Sequence, residues 1–312
     1  MSTPTGVFVT GATGVIGQRV IPQLVAQGHR VTGVARSSAK RAQLEALGAR
    51  AVTVNLLDGD SVRRALEQGG QEVVVNLATH IPGSSFAMLL PWSWRENNRL
   101  RSEGSAVLVG AARAAGAARF IQESFAPVYE DGGAAWIDES WPVRPAPYNR
   151  TVLDAERSAA RFTERGGTGV VLRFAGFYGP DPMLRDLLGV VRRGWAPLPG
   201  TPDAYWSSAA HDDAATAVVA ALDVPAGIYN VCDDEPVTRR EYAALLAVAA
   251  GAARAPRPMP GWVRMLGGRT MELLSRSQRM SNRKLRDAAG WAPRWPSVRE
   301  GIPAAVSQLA AR

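Results

Sequence analysis

The first half of the chain alternates short apolar runs with amphipathic stretches. Gly6–Thr10 reads as a strand. Val15–Gln27 comes next with Ile16, Val20, Leu24 and Val25 on one side, and Gly28 closes it. Arg30–Ala35 is a second strand, Ser38–Leu47 a helix ended by Gly48, and Arg50–Val54 a third strand. A short helix capped by Asp60 or Ser61 runs to Gln68, and the valine-rich Glu72–Leu77 reads as a strand buried on both faces. An alanine-rich helix spans about Asn98 to Ala115, with strands at Arg119–Gln122 and Val170–Phe174. Strands separated by helices imply parallel βαβ units, hence an α/β, doubly wound parallel sheet.

The second half is less regular. Proline and tryptophan accumulate in Pro82–Trp94, Trp136–Pro147 and Trp195–Trp206, which read as loops, where specificity usually resides. From Thr238 onward the pattern is mostly helical, broken at Ala255–Pro260 and Trp291–Pro296, and no internal repeat is present.

Composition narrows the function classes. A mean hydropathy of −0.09 fits a soluble globular chain. No apolar run is long enough to span a membrane, and no leader pattern precedes the first strand, so the expectation is a cytoplasmic protein without a membrane partner. One cysteine, Cys232, excludes an internal disulfide, and His29, His80 and His211 form no ligand pattern, so no metal site is expected. The net charge of +8 comes almost wholly from arginine, without a dense basic tract, and nucleic acid is not expected as a partner. Lys40 and Lys284 are the only lysines.

The candidate chemistry begins at Thr10-Gly11-Ala12-Thr13-Gly14-Val15-Ile16-Gly17, between a strand and a helix. Glycines there allow a tight turn and close backbone approach to a pyrophosphate, which the helix N-terminus attracts. Gly11, Thr13, Gly14, Val15, Ile16 and Gly17 are therefore expected to bind a dinucleotide. The second strand ends without an acidic residue; Arg36 and Ser37, helped by Lys40 or Arg41, are placed for the 2′-phosphate of NADP(H). Asn55 and Leu56 are expected at the adenine, and Ala78 and Thr79 beside the nicotinamide ribose.

TGATGVIG, the NLLD segment Asn55–Asp58, NLAT at Asn76–Thr79 and GAARFIQES at Gly116–Ser124 together resemble the extended short-chain dehydrogenase/reductases, which include the NAD-dependent epimerases and dehydratases. So do RFAGFYGPD at Arg173–Asp181, DDAATAVVAAL at Asp212–Leu222 and IYNVCDDEPVT at Ile228–Thr238. The resemblance implies a Rossmann domain over residues 1–170, also receiving about 203–230, and a smaller, mainly C-terminal substrate lobe over 171–312. It also implies a small-molecule substrate, and a homodimer through the helices near Leu100–Ala115 and Leu153–Phe162.

The family works with a serine, a tyrosine acid/base and a lysine that lowers the tyrosine's pKa. Tyr148 stands at the tyrosine position, but four residues on the lysine is replaced by Val152, and Arg150 is the nearest cation in sequence. The position the family most often uses for serine falls on Phe125, leaving Ser124 one residue early as the candidate. His80, at the end of the fourth strand, is a third candidate acid or base. Each has a structural alternative: a strand-end hydroxyl for Ser124, a packed aromatic for Tyr148, a loop residue for His80. His211 reads as a structural cap, Tyr178 as a cleft residue, and Trp92, Trp94, Trp195 and Trp206 as either an aromatic pocket or loop packing. Two readings of function stand: an NADP-dependent oxidoreductase acting on an apolar ketone, alcohol or enone, or a cofactor-bound protein without hydride turnover, either a redox-sensing regulator or an isomerase or cyclase.

Overall fold

The computed structural model describes residues 5–82, 90–259 and 268–311. Seven parallel strands form the central sheet: β1 (Gly6–Thr10), β2 (Arg30–Val34), β3 (Arg50–Val52), β4 (Val73–Asn76), β5 (Arg119–Phe125), β6 (Thr168–Phe174) and β7 (Gly227–Val231). Their spatial order is β7-β6-β5-β4-β1-β2-β3. The order reverses between β1 and β4, where Val7 is opposite Val73 and Thr10 opposite Asn76. Ligands of open α/β sheets bind beyond the strand ends at such a reversal.

Alternation along the strands supplies both faces. Val7, Val9, Val73 and Val75 pack into one buried layer, while Phe8 and Val74 enter the other. The first layer lies under α1 (Gly17–Ala26) and α2 (Ser38–Ala46), the second under α3 (Gly59–Gly69) and the helix α4 (95–114). The cap of α3 differs from expectation: Asp58 accepts from the N–H groups of Asp60 and Ser61, both at 3.1 Å. The fifth strand runs three residues longer than its apolar pattern, because β6 pairs with it from Arg119 to Phe125. Helix α4 is α-helical over Arg95–Arg99 and Ser105–Ala114, with a π-helical turn at Leu100–Gly104 between them. Helix α5 (Val152–Glu164) packs beside it.

A second core forms the smaller lobe. Along the chain follow helices α6 (Pro182–Arg192), α7 (His211–Ala220), α8 (Arg239–Ala249), α9 (Gly268–Ser275), α10 (Arg283–Ala289) and α11 (Val298–Ala310), of which α7 and Leu285 of α10 pack into the sheet's first layer instead. Leu184, Leu188, Tyr242, Leu246, Val298 and Ile302, from α6, α8 and α11, close around Trp206 and Tyr178. The lobe is tied to the sheet through the start of α7. Asp212 pairs with Arg19 of α1 at 2.7 Å, and Asp213 accepts from the N–H groups of Arg294 and Trp295. The expected loop Pro82–Trp94 lies in large part outside the described residues, as does the end of the Ala255–Pro260 break. No helix among the described residues is long and apolar enough to cross a membrane.

Candidate active site

The glycine turn is built as its chemistry requires. Gly11 has φ +64°, and a Cβ there would lie 2.3 Å from the Leu77 carbonyl oxygen. A Cβ on Gly17 would meet the Gly11 oxygen at the same 2.3 Å, so β1, the turn and α1 approach as closely as backbone allows. The Gly14 N–H donates to the Gly11 carbonyl at 2.9 Å, and Gln18 Nε2 holds the Thr13 carbonyl at 2.6 Å. Helix α1 has neither a side-chain N-cap nor an acid in its first turn. Among the described residues nothing accepts from the N–H groups of Val15 and Ile16. A glycine cradle beside an uncapped helix start fits a pyrophosphate.

Other expected cofactor residues follow the C-terminal ends of β2, β3 and β4. Arg36 is exposed at the end of β2 and has no ion-pair partner among the described residues. Ser37 caps α2 by accepting from the Lys40 N–H at 3.3 Å. Asn55 Oδ1 closes its own turn by accepting from the Leu57 N–H at 3.1 Å, and Leu56 is half-buried. Ala78 and Thr79 lie just beyond β4 at the reversal point. Beneath them Asn76, buried, accepts from Thr10 Oγ1 at 2.6 Å and donates to Gln122 Oε1 at 2.9 Å and Ser105 Oγ at 3.2 Å. This network fixes the ends of β1, β4 and β5 against α4, a role that the pattern of apolar positions does not reveal.

The three catalytic candidates have different surroundings. Ser124 is 1% exposed and donates to Glu156 Oε1 at 2.5 Å. Glu156 also receives both arms of Arg173, at 2.8 and 2.7 Å, and Arg173 lies over the ring of Tyr129. The hydroxyl thus belongs to a buried ionic network beneath the cleft. His80 is exposed, and its backbone N–H donates to Oδ1 of the buried Asn97 at 2.9 Å. Tyr148 is half-buried, with its ring 4.9 Å from that of Trp94. Burial pushes its phenol up to about 12, while Arg101 and Arg276 pull the other way.

The cations near Tyr148 are therefore not those that sequence spacing suggests. Arg150 is exposed, and Val152 is fully buried at the start of α5. Lys40 donates to Gln43, and Lys284 sits over the Tyr229 ring. Arg101, from the π-helical turn, is buried and paired with Glu123 at 2.7 Å. Burial raises the Glu123 carboxyl above its usual range against the pull of Arg101. Sequence reasoning missed Asn97, Arg101 and Glu123; the available signals were the polar run Arg95–Glu103 before the alanine-rich stretch and an acidic residue near the end of the fifth strand.

Tyr178 is 4% exposed and belongs to the lobe core, so it does not line the cleft as expected. His211 is buried with Nε2 3.5 Å from Asp181, and burial lowers its pKa to about 4 despite the Asp181 carboxylate. Of the four tryptophans, Trp94 meets Tyr148, Trp206 is buried beneath Arg239, and Trp92 and Trp195 are exposed.

A strand-order reversal, a glycine turn and an open helix start together make a Rossmann-type fold of the kind that binds dinucleotides. The chain belongs to the NAD dependent epimerase/dehydratase family, whose model matches residues 7–232. It is 33% identical to a 3-diazoavenalumate denitrifying reductase of Streptomyces sp, over 95% of this chain and 98% of that protein. It is 27% identical to the 4-hydroxy-2-methyl-3-oxo-4-farnesyl-3,4-dihydroquinoline-1-oxide ketoreductase of Stigmatella aurantiaca, over 78% of this chain and 73% of that one. The UDP-glucose 4-epimerase of Thermus thermophilus, solved in complex with NAD, superimposes with a TM-score of 0.79 and 25% identity, covering 98% of this chain and 99% of that one. Reductase relatives and family together make this an NAD(P)-dependent oxidoreductase type of chain.

Proposed function

We propose that the chain is an NADP(H)-dependent reductase acting on a small or medium-sized apolar ketone or enone. The observation that carries this reading is Tyr148, half-buried with its ring 4.9 Å from that of Trp94, where burial pushes its phenol up to about 12. A phenol that keeps its proton at neutral pH donates a hydrogen bond, then a proton, to an oxygen on which charge develops. In the reductive direction that proton goes to the carbonyl oxygen. A bound nicotinamide supplies the hydride.

The remaining roles come from position. The turn Gly11–Gly17 holds the pyrophosphate, Arg36 and Ser37 meet the 2′-phosphate, Asn55 and Leu56 flank the adenine, and Ala78 and Thr79 border the nicotinamide ribose. His80, exposed beside Thr79, is a second proton donor at the cleft mouth. The Stigmatella ketoreductase and the Streptomyces reductase support a reduction.

The buried Val152 favours a second acceptor. When a cationic diazo group on carbon is replaced by hydrogen, the C–N bond breaks and both nitrogens leave as N2. The incoming hydride brings both electrons of the new C–H bond, and no proton is consumed. A site without the activating lysine suits that step, and the Streptomyces relative is named a denitrifying reductase.

One experiment separates these readings. NADPH oxidation is followed against a panel of ketones and enones and against an aryl diazonium carboxylate, with wild type and Tyr148→Phe. Carbonyl reduction that weakens in Tyr148→Phe supports the first reading. Diazonium loss with N2 release, indifferent to that change, supports the second. Cofactor binding without oxidation in either panel overturns both and leaves the non-turnover alternative.

A further inference from the structure

Trp94, Asn98 and Arg101 are spaced i, i+4 and i+7, so they share one face of the helical stretch 91–104. Trp94 lies against the Tyr148 ring. Asn98 Oδ1 accepts from Thr151 Oγ1 at 2.8 Å, three residues beyond Tyr148. Arg101 Nη2 reaches both oxygens of Glu123, at 2.7 and 3.0 Å. The π-helical turn that carries Arg101 packs on α5, whose first residue is the uncharged, fully buried Val152. The Arg101 side chain is 6% exposed, and its Nε has no hydrogen-bond partner among the described residues. π turns inside helices are rare and frequently lie at functional sites.

We propose that Arg101 is the cation that serves Tyr148 in place of a lysine at position 152, with Glu123 moderating its charge. Arg101 is a positioning residue: it acts on the phenol through its field and does not itself reach the acceptor. A guanidinium held in a poorly solvated wall favours the negative charge that develops on the phenol oxygen as its proton leaves. Being arginine, it keeps that charge when buried, where a lysine tends to lose it. Glu123 opposes the effect, so the pair sets how far the phenol is activated. Arg276, from beyond α9, also acts on the same phenol through its field. It is held by the carbonyls of Tyr129 and Arg144 and lies 3.6 Å from Glu272.

The inference rests on Tyr148 being the proton donor of the proposed reaction, but its test needs no turnover. Tyr148 is replaced by a fluorotyrosine, whose more acidic phenol titrates in an accessible range, and fluorine NMR tracks the titration. Arg101→Met is expected to move it upward by roughly one pH unit, Arg101→Lys by much less, and Glu123→Gln downward. Cofactor binding checks that each variant is folded. If Arg101→Met does not fold, the downward displacement in Glu123→Gln carries the test. A Glu123→Gln titration at or above the parent's overturns the assignment, as does an unmoved titration in a folded Arg101→Met. If the titrations move as expected while carbonyl reduction by the same variants keeps its rate and pH profile, the Arg101 assignment stands and the proton-donor reading of Tyr148 falls.

Discussion

Ser124→Ala tests whether the serine works in the reaction or beneath it. The hydroxyl donates to the buried carboxylate of Glu156 at 2.5 Å, and a hydrogen bond to a charged group contributes about 1.5–3 kcal/mol. Glu156 retains both bonds from Arg173 in the variant, so the lower part of that range applies, about 2 kcal/mol. At about 2.1 cal/mol/K per residue, a chain of 312 residues unfolds with an entropy of about 0.65 kcal/mol/K, and the midpoint should fall by about 3 °C. Thermal and urea unfolding measure the loss, with NADPH oxidation run in parallel on the best acceptor found. The expected rate stays within about tenfold of wild type, against the 100- to 10,000-fold loss typical of a principal acid or base. An unchanged midpoint with a rate down 100-fold or more would refute the network reading and return Ser124 to the reaction.

Arg36→Ala should weaken NADPH binding roughly tenfold or more and leave NADH binding unchanged, by titration of each cofactor; equal wild-type affinities for the two would defeat the 2′-phosphate role. Gly14→Val should abolish cofactor binding in a folded chain, since even a Cβ there would stand 3.1 Å from the Gly11 oxygen and the larger side chain fills the phosphate approach; retained binding would move the site elsewhere. His211 is held neutral by burial, so the unfolded chain binds an extra proton between about pH 6.5 and about 4; stability should fall as pH drops through that window, and His211→Gln should flatten the dependence. Val152→Lys should cost several kcal/mol in unfolding experiments, because Val152 is fully buried beside the π turn that carries the cationic Arg101; a stable variant with a more acidic activity profile would contradict the packing.

The sheet was legible because its residues answer to local rules. Alternating valines place β1 and β4, and glycines at the turn need conformations or contacts that other residues lack. The β1/β4 reversal and the uncapped α1 confirm the surroundings expected of the turn. The wall around Tyr148 was less legible, because it depends on contacts across distant segments. Ser124 meets Glu156 across 32 positions, and Arg101 meets Glu123 across 22. A search along the sequence around Tyr148 therefore selects Arg150, which is exposed, and passes over Arg101, which is not. Tyr178 was misread for a related reason: its turn motif gives its neighbours in sequence, whereas α11 packs its ring into the lobe, with a Cβ at Gly301 falling on its hydroxyl.

The π-helical turn holds one more residue than an α-helix would use over the same rotation. Each residue added to or removed from a regular α-helix rotates its N-terminal part by about 100° relative to its C-terminal part. Deleting one residue within Leu100–Gly104 would instead let the backbone relax to an unbroken α-helix and leave the angular phase of the two parts nearly unchanged, so Trp94, Asn97 and Asn98 would keep facing Tyr148, His80 and Thr151. The extra residue therefore acts only where it sits, widening the helix at the turn from which Arg101 reaches Glu123.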